Sequence, residues 1–217
     1  MRTFGTAEFW FILQAAKWTI ALSLIAFVGG AIGGLIVALM RTSEVAWMRA
    51  VATAFTQVFQ GTPLLLQLFL IFFGAPVFGL DINPWIAAGA ALILNTSAFL
   101  GEIWRGCIEA IPRGQWEAAQ ALSLSYRYRM SDVVLPQAAK IALAPTVGYM
   151  VQVVKGTSLA AIIGFTEVTR AGQIINNATF QPLIVFSVVA AIYFALCWPL
   201  SLLAARFERR QAAAFAR

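Results

Sequence analysis

An uncharged stretch near the start of the chain strongly constrains the fold. Residues Trp18 to Met40 contain no charged side chain, and Arg41 closes the stretch. A helix needs about 20 predominantly apolar residues to cross the hydrocarbon of a bilayer. The stretch therefore predicts a transmembrane helix and places the chain among membrane proteins.

The composition agrees with that class. The chain has 217 residues, of which 61% are hydrophobic and 11% are charged, whereas roughly 25% of a soluble domain is charged. Membrane crossings take up most of this length. We therefore expect residues 1–217 to form a single transmembrane domain.

Four more spans are predicted, which makes the fold an all-α integral membrane protein with five transmembrane helices. They run from about Gly61 within the uncharged residues 50–80, from Pro84 to about Trp104, from about Ile141 to Phe165, and from about Pro182 to Ala205. Pro63 suits the first turn of the second span, since proline is tolerated there. The fourth span is the least conventional because it contains Lys155.

The basic residues predict the orientation, because cytoplasmic loops are enriched in Lys and Arg. Most of them fall on one side of a five-span arrangement: Arg41, Arg49, Arg105, Arg113, Arg127, Arg129, Lys140, Arg206, Arg209, Arg210 and Arg217. We therefore expect the amino terminus outside and the carboxyl terminus in the cytoplasm. The basic residues that give the net charge of +6 flank apolar spans. Membrane lipid rather than nucleic acid is therefore the expected partner.

Several absences exclude classes of enzyme. The chain has no histidine, which excludes catalysis by a Ser-His or Cys-His pair. Residues Lys155 to Ser158 have the wrong order for a phosphate-binding loop, so the chain has no ATPase motif. Cys107 and Cys197 lack metal-ligand spacing. We expect no catalytic residue, no metal and no cofactor bound by this chain.

The polar connection from Arg105 to Lys140 holds a short predicted helix. Within it, the helical spacing places Trp116, Ala119 and Leu122 on one face. The alanines around Glu117 permit close approach of a partner, and the carboxylate can pair with a basic group. The helix either docks another protein or lies on the membrane surface.

The residues Gly114 to Ser123, followed by Val134 to Ala138, resemble the EAA loop of bacterial ABC importer permeases. Within that group the chain is similar to the polar amino acid uptake family. Further matching segments follow in the expected order: Gly61–Thr62–Pro63 to Phe69, Glu102 to Gly106, Lys155 to Leu159, Ile163–Gly164 with Glu167, and Glu208 to Arg210. The resemblance covers nearly the whole chain.

The resemblance implies a permease subunit with type I ABC importer architecture in the bacterial inner membrane. It would import polar amino acids or close derivatives by alternating access. Its partners would be ABC ATPase subunits carrying ATP and Mg, a second permease chain, and a periplasmic or surface substrate-binding protein. A different class stays open, namely a non-conducting membrane subunit that docks a cytoplasmic partner.

The same resemblance assigns coupling to the ATPase to the loop at residues 105–140. Its coupling residues would be Glu117, Ala118, Ala119, Ser123, Leu135 and Pro136. The first three would sit in a groove of the ATPase. Leu135 and Pro136 would end the loop helices and restart the chain toward the fourth span, which suits the fixed geometry of proline.

The chain departs from the family pattern at four positions. Ser123 stands where glycine is usual and would stiffen the turn, because serine adopts left-handed backbone angles less readily. Gln60, Gly148 and Gly156 stand where the family often has arginine, asparagine and aspartate. A non-identical second permease would supply the missing polar groups, which favours a heteromeric pair over a homodimer.

Candidate substrate-pathway residues are the polar side chains inside the spans: Gln67, Asn95, Thr96, Ser97, Lys155, Thr157 and Ser158. Lys155 either binds the carboxylate of a passing amino acid or pairs within the chain with Glu102, Glu167 or a backbone carbonyl. Arg105 lies three residues after Glu102, which favours a local ion pair for that carboxylate. The others either line a water-filled path or bond to a neighbouring helix or backbone carbonyl. Which amino acid is carried stays open.

Glycines of the first span form two overlapping small-xxx-small patterns, which permit close helix contact. They are Gly29, Gly30, Gly33 and Gly34. We expect them to pack against another helix of the same chain.

Overall fold

The computed structural model describes residues 3–215, which fold into α-helices joined by short connections. The α-helices are α1 Thr6–Arg41, α2 Ala46–Gly61, α3 Leu64–Gly74, α4 Pro84–Glu109, α5 Arg113–Ala121, α6 Tyr126–Tyr128, α7 Leu135–Gly156, α8 Val168–Thr179 and α9 Pro182–Phe215. Turns of 3₁₀ helix follow α3 and α7 at Ala75–Phe78 and Thr157–Ile163. A π-helical turn at Arg129–Val134 joins α6 to α7.

The described residues hold four continuous helical stretches long and apolar enough to cross a membrane. These are Thr6–Arg41, Pro84–Glu109, Tyr126–Ile163 and Pro182–Ala212. The helix pair Ala46–Gly61 and Leu64–Phe78 is a fifth candidate, with a bend of 100° between its halves. The predicted all-α membrane fold is confirmed.

The second span was predicted to begin near Gly61, and the structure has the break at that point: the helix after it covers only Leu64–Phe78, and α2 lies before it. The chain leaves the helix at Thr62, whose φ of −116° and ψ of 140° are extended. Pro63 precedes the first turn of α3 instead of lying in it. The cause is local, since proline pushes the residue before it out of the helical region.

Two other spans are longer than the sequence predicted. Residues 6–17, which precede the predicted first span, also belong to α1, whose 36 residues extend about 54 Å at 1.5 Å per residue. The fourth span begins before Ile141, because the π-helical turn keeps the helix continuous from Tyr126. Lys155 consequently lies in the last turn of α7, about 30 Å along the helix from Leu135.

The glycines of α1 pack against α4, which confirms their predicted role within the chain. A Cβ added at Gly30 would lie 2.3 Å from the Thr96 side chain, and one at Gly34 would lie 2.8 Å from the Leu100 Cβ. Real Cβ contacts are longer, so only glycine lets the two helices approach this closely.

One end of the helical bundle, called the α5 end here, is where α1 and α4 terminate and α5 lies. Glu102 of α4 pairs there with Arg41 at 3.3 Å and with Arg105, which also pairs with Glu109. The ion pairs join the ends of α1 and α4. Glu102, one of the carboxylates expected to pair with Lys155, is therefore already paired with other residues.

The opposite end, called the α8 end, holds a buried carboxylate. Glu167 is completely buried and caps α8 by accepting bonds from the amides of Thr169 and Arg170, each at 2.9 Å. The Tyr193 hydroxyl of α9 donates to the same carboxylate at 2.5 Å. Glu167 therefore fastens α8 to α9 and is satisfied without Lys155.

Candidate functional site

The break between α2 and α3 is stabilised by two side-chain amides. Gln67 Nε2 donates to the carbonyls of Phe59 at 2.9 Å and Thr62 at 3.0 Å. Asn95 Nδ2 donates to the Phe59 carbonyl at 3.3 Å and to Gln67 Oε1 at 3.2 Å. Carbonyls at a helix end need such partners in an apolar environment. These two pathway candidates therefore lie buried behind the break.

The other side of the break is exposed. Residues Gly61, Thr62 and Pro63 are on the surface, and these three residues are called the break face here. Gln152 and Lys155 of α7 are exposed as well. Irregular backbone at membrane depth occurs only where protein or water covers it. We therefore expect water or another protein chain, rather than lipid, against the break face.

One close approach places the end of α7 beside the break. A Cβ added at Gly156 would lie 3.3 Å from the Leu64 side chain of α3. Gln152, which was not singled out from the sequence, lies three residues before Lys155 and on the same face. The spacing of three residues between Gln152 and Lys155 was the sequence signal that could have identified Gln152.

Lys155 has no ion pair within the described residues. The expected structural pairing with Glu102 or Glu167 is therefore absent, because both carboxylates are bound elsewhere. Its position in the last turn of α7 gives it only the favourable interaction with the helix dipole. Its exposed ammonium group is left to meet a group from outside the chain.

The remaining pathway candidates bond to their own helices or pack against a neighbour. The hydroxyls of Ser97, Thr157 and Ser158 each donate at 2.7 Å to a carbonyl three or four residues earlier. Thr96 is almost completely buried against the glycines of α1. Their place in the pathway stays a prediction.

The short helix α5 presents a mixed surface. Glu117 and Ala118 are exposed, whereas Ala119 is 2% exposed and faces its own chain. The prediction that Leu122 shares the face of Ala119 is wrong, because α5 ends at Ala121 and Leu122 is 75% exposed. Glu117, Ala118, Ala121 and Leu122 are called the coupling face here.

The turn after α5 has a strained residue. Ser123 has a φ of 55°, in the left-handed region that glycine occupies at no steric cost. We expected serine to adopt left-handed backbone angles less readily than glycine, and the turn does require such angles at this position. Serine holds it at a cost of about 1–2 kcal/mol.

Leu135 and Pro136 lie in the first turn of α7. They restart a regular helix as expected, but they follow a π-helical turn and so do not interrupt the helical path. Residues 105–109 belong to α4 and residues 126–140 to the path leading into α7. The non-helical part of the connection is therefore shorter than residues 105–140.

The segment after α5 is fastened to the connection between α1 and α2. The Tyr126 hydroxyl donates to the Thr42 carbonyl at 3.0 Å, and Arg129 pairs with Glu44 at 3.5 Å. A displacement of α5 would therefore act on α7 directly and on α1 and α2 through these contacts.

An all-helical membrane fold with a broken span and an exposed connecting helix defines the class of a transporter's membrane component. The chain belongs to the family of binding-protein-dependent transport system inner membrane components, which matches residues 30–213. It is thus the permease component of an ABC amino acid uptake system, not its ATPase, and a multi-pass inner membrane protein.

Curated relatives are similar over nearly their whole length. The L-cystine transport system permease protein TcyB of Bacillus subtilis (strain 168) is 36% identical over 96% of this chain and 93% of the relative. The glutamine transport system permease protein GlnP of Escherichia coli (strain K12) is 35% identical over 92% of each.

Solved structures give the same fold. An amino acid ABC transporter crystallised with histidines matches with a TM-score of 0.86 at 35% identity, over 92% of this chain and 94% of that chain. An inward-facing MetNI methionine ABC transporter matches with a TM-score of 0.79 at 18% identity, over 95% and 99%, and supports the fold alone. These matches favour transport over the non-conducting alternative.

Proposed function

We propose that the chain imports a polar amino acid or a close derivative by alternating access, coupled at residues 105–140 to a separate ATPase. ATP and Mg bind to that ATPase. A substrate-binding protein delivers the amino acid at the α8 end, and the α5 end faces the cytoplasm, as the distribution of Lys and Arg favours. The exposed break face is the observation that carries the proposal, because it requires a covering other than lipid.

The coupling face supports docking to the ATPase. An exposed carboxylate, Glu117, lies beside small Ala118 and the highly exposed Leu122. This combination gives a partner one charge to pair with and one apolar group to bury. Ala119 contributes by holding α5 against its own chain, and Ser123, Leu135 and Pro136 set the path from α5 into α7.

Replacing Glu117 with lysine tests the coupling. We expect substrate uptake per ATP hydrolysed to fall about tenfold, equivalent to about 1.4 kcal/mol, because the charge at the docking surface is reversed. Uptake and ATP hydrolysis are measured in liposomes containing the permease, its ATPase and the binding protein. Asp132→Lys is the control, since Asp132 is exposed in the same connection but outside the coupling face. Equal coupling in both variants would reject the docking role.

The substrate pathway runs along the break face in this proposal. Lys155 binds the substrate carboxylate, since its ammonium group is exposed and has no partner within the described residues. Gln67 and Asn95 hold the irregular backbone in place from behind. Thr96, Ser97, Thr157 and Ser158 position the helices that form the wall.

Replacing Lys155 with methionine tests the pathway. We expect the KM for uptake to rise about tenfold or more, because a hydrogen bond to a charged group is lost. Lys17→Met is the matched control, since Lys17 already stacks on Trp18 with its ammonium 5.0 Å from the ring centre. Glutamine and cystine are the first substrates to test, because the relatives are named for their transport. Unchanged uptake kinetics would remove Lys155 from the pathway.

A second permease chain covers the break face, and we favour a non-identical one. A Cβ added at Gly148 meets no atom within 4 Å. There is therefore room at this position for the asparagine that the family often has, and this chain lacks that polar group. Gln60 is engaged inside the chain, since its Nε2 donates to the Ala98 carbonyl at 3.1 Å. Purification in mild detergent with stoichiometry of the co-purified proteins tests the pairing, and two identical permease chains would contradict it.

A further inference from the structure

A proline inside α7 leaves one backbone carbonyl without its helical partner. Pro145 has no N–H, so it cannot donate to the carbonyl of Ile141 four residues earlier. The Ile141 carbonyl is part-buried, and a carbonyl in such a place needs water or another donor to replace the missing N–H.

The missing donor comes from the far end of the chain. Gln211, near the end of α9, donates through Nε2 to the Ile141 carbonyl at 3.0 Å and to the Lys140 carbonyl at 2.6 Å. The two partners are separated by 70 residues in sequence. They lie at the α5 end, where α9 extends beyond Ala205, the predicted end of the fifth span.

We infer that Gln211 is a positioning residue that latches the end of α9 onto α7, so that the two helices move together during transport. The inference rests on the proposed function, because the displacement originates at the coupling face and enters α7 through α6 and the π-helical turn. α7 and α9 also pack against each other elsewhere, and the latch adds a fixed contact between their α5 ends.

Four variants test the latch in the complete complex with its ATPase and binding protein. Gln211→Met keeps a long unbranched side chain but has no N–H donor. Pro145→Ala returns the lost N–H to α7, and the double variant combines both changes. Pro199→Ala is the control. It also restores an N–H inside a helix, α9, but it leaves unchanged the Lys140 and Ile141 carbonyls to which Gln211 donates.

Two readouts separate positioning from stability. We expect Gln211→Met to lower the thermal unfolding midpoint and to reduce uptake per ATP about tenfold, with the KM for substrate unchanged. The double variant should recover the midpoint, because Ile141 regains a donor, whereas uptake per ATP should stay low. Wild-type uptake per ATP in Gln211→Met, or its full recovery in the double variant, would overturn the inference.

A distance measurement tests the shared motion without relying on transport. Spin labels at Lys140→Cys and Ala212→Cys, in a background with Cys107 and Cys197 replaced by alanine, leave Gln211 and the backbone carbonyl of residue 140 intact. We expect the label distance to be the same without nucleotide and with ATP bound, and to change between these states in the Gln211→Met background. A nucleotide-dependent distance with Gln211 present would overturn the latch. If the Glu117→Lys test fails but the distance still becomes nucleotide-dependent in the Gln211→Met background, coupling through Glu117 is wrong and the latch stands.

Discussion

Replacing Gly34 with alanine should separate α1 from α4. The new Cβ would lie 2.8 Å from the Leu100 Cβ and 3.1 Å from the Gly101 amide nitrogen. Carbon atoms in contact prefer about 3.5–4.0 Å, so the helices must move apart by up to about 1 Å. Overpacking of this kind costs about 1–3 kcal/mol, which the better helix propensity of alanine offsets by about 1 kcal/mol.

Gly148 provides the matched control because it also lies inside a helix. An alanine there meets no atom within 4 Å, so the variant keeps only the propensity gain of about 1 kcal/mol. The free energies of unfolding of Gly34→Ala and Gly148→Ala should therefore differ by about 1–3 kcal/mol. Thermal unfolding in detergent, followed by tryptophan fluorescence, should show a difference of about 2–4 °C per kcal/mol. A midpoint for Gly34→Ala equal to that of Gly148→Ala would refute the close-packing argument.

Two further variants address the turn after α5 and the helix break. Ser123→Gly should raise the thermal midpoint, because relief of about 1–2 kcal/mol of left-handed strain exceeds the added entropy of the unfolded chain, about 0.4–1 kcal/mol; a lower midpoint would contradict this. Gln67→Leu should lower the midpoint and the uptake rate together, since unpaired carbonyls cost about 1–3 kcal/mol each; a stable, fully active Gln67→Leu protein would show that the break does not need the amide.

The transmembrane character was predictable because it depends on local composition. The stretch from Trp18 to Met40 is apolar without interruption, and it lies within α1 as expected. The close approach of α1 to another helix of the chain was equally accessible, since the spacing of small residues encodes it, but the identity of that helix, α4, was not. Features of this kind need no knowledge of which distant residues meet.

The helix break could not be predicted because the donors that stabilise it come from distant positions. Pro63 by itself is compatible with the first turn of a helix, and so the sequence favoured a straight span. The donors that make a break tolerable are Gln67 and Asn95, which lie 28 residues apart. Nothing in the chain order shows that they meet at the Phe59 carbonyl.

The candidate site was predicted in its chemistry more than in its geometry. Lys155 was expected to need a partner. The ion pair of Glu102 with Arg105 was predictable from their spacing, whereas only the structure shows that Glu167 is bound by Tyr193. Leu122 was placed on the wrong face because the sequence did not show that α5 ends one residue earlier. Errors of one residue at a helix end therefore decide which side chains reach a partner.

The shared amide contact at the break limits how this transporter can evolve. Gln67 donates to the backbone with its nitrogen while its oxygen accepts from Asn95, so a carboxylate at position 67 would turn acceptors toward carbonyl oxygens. A change at either position leaves the other amide with an unpaired group. The two positions should therefore mutate in concert across descendants of this chain, and a lineage that loses both should also straighten the bend.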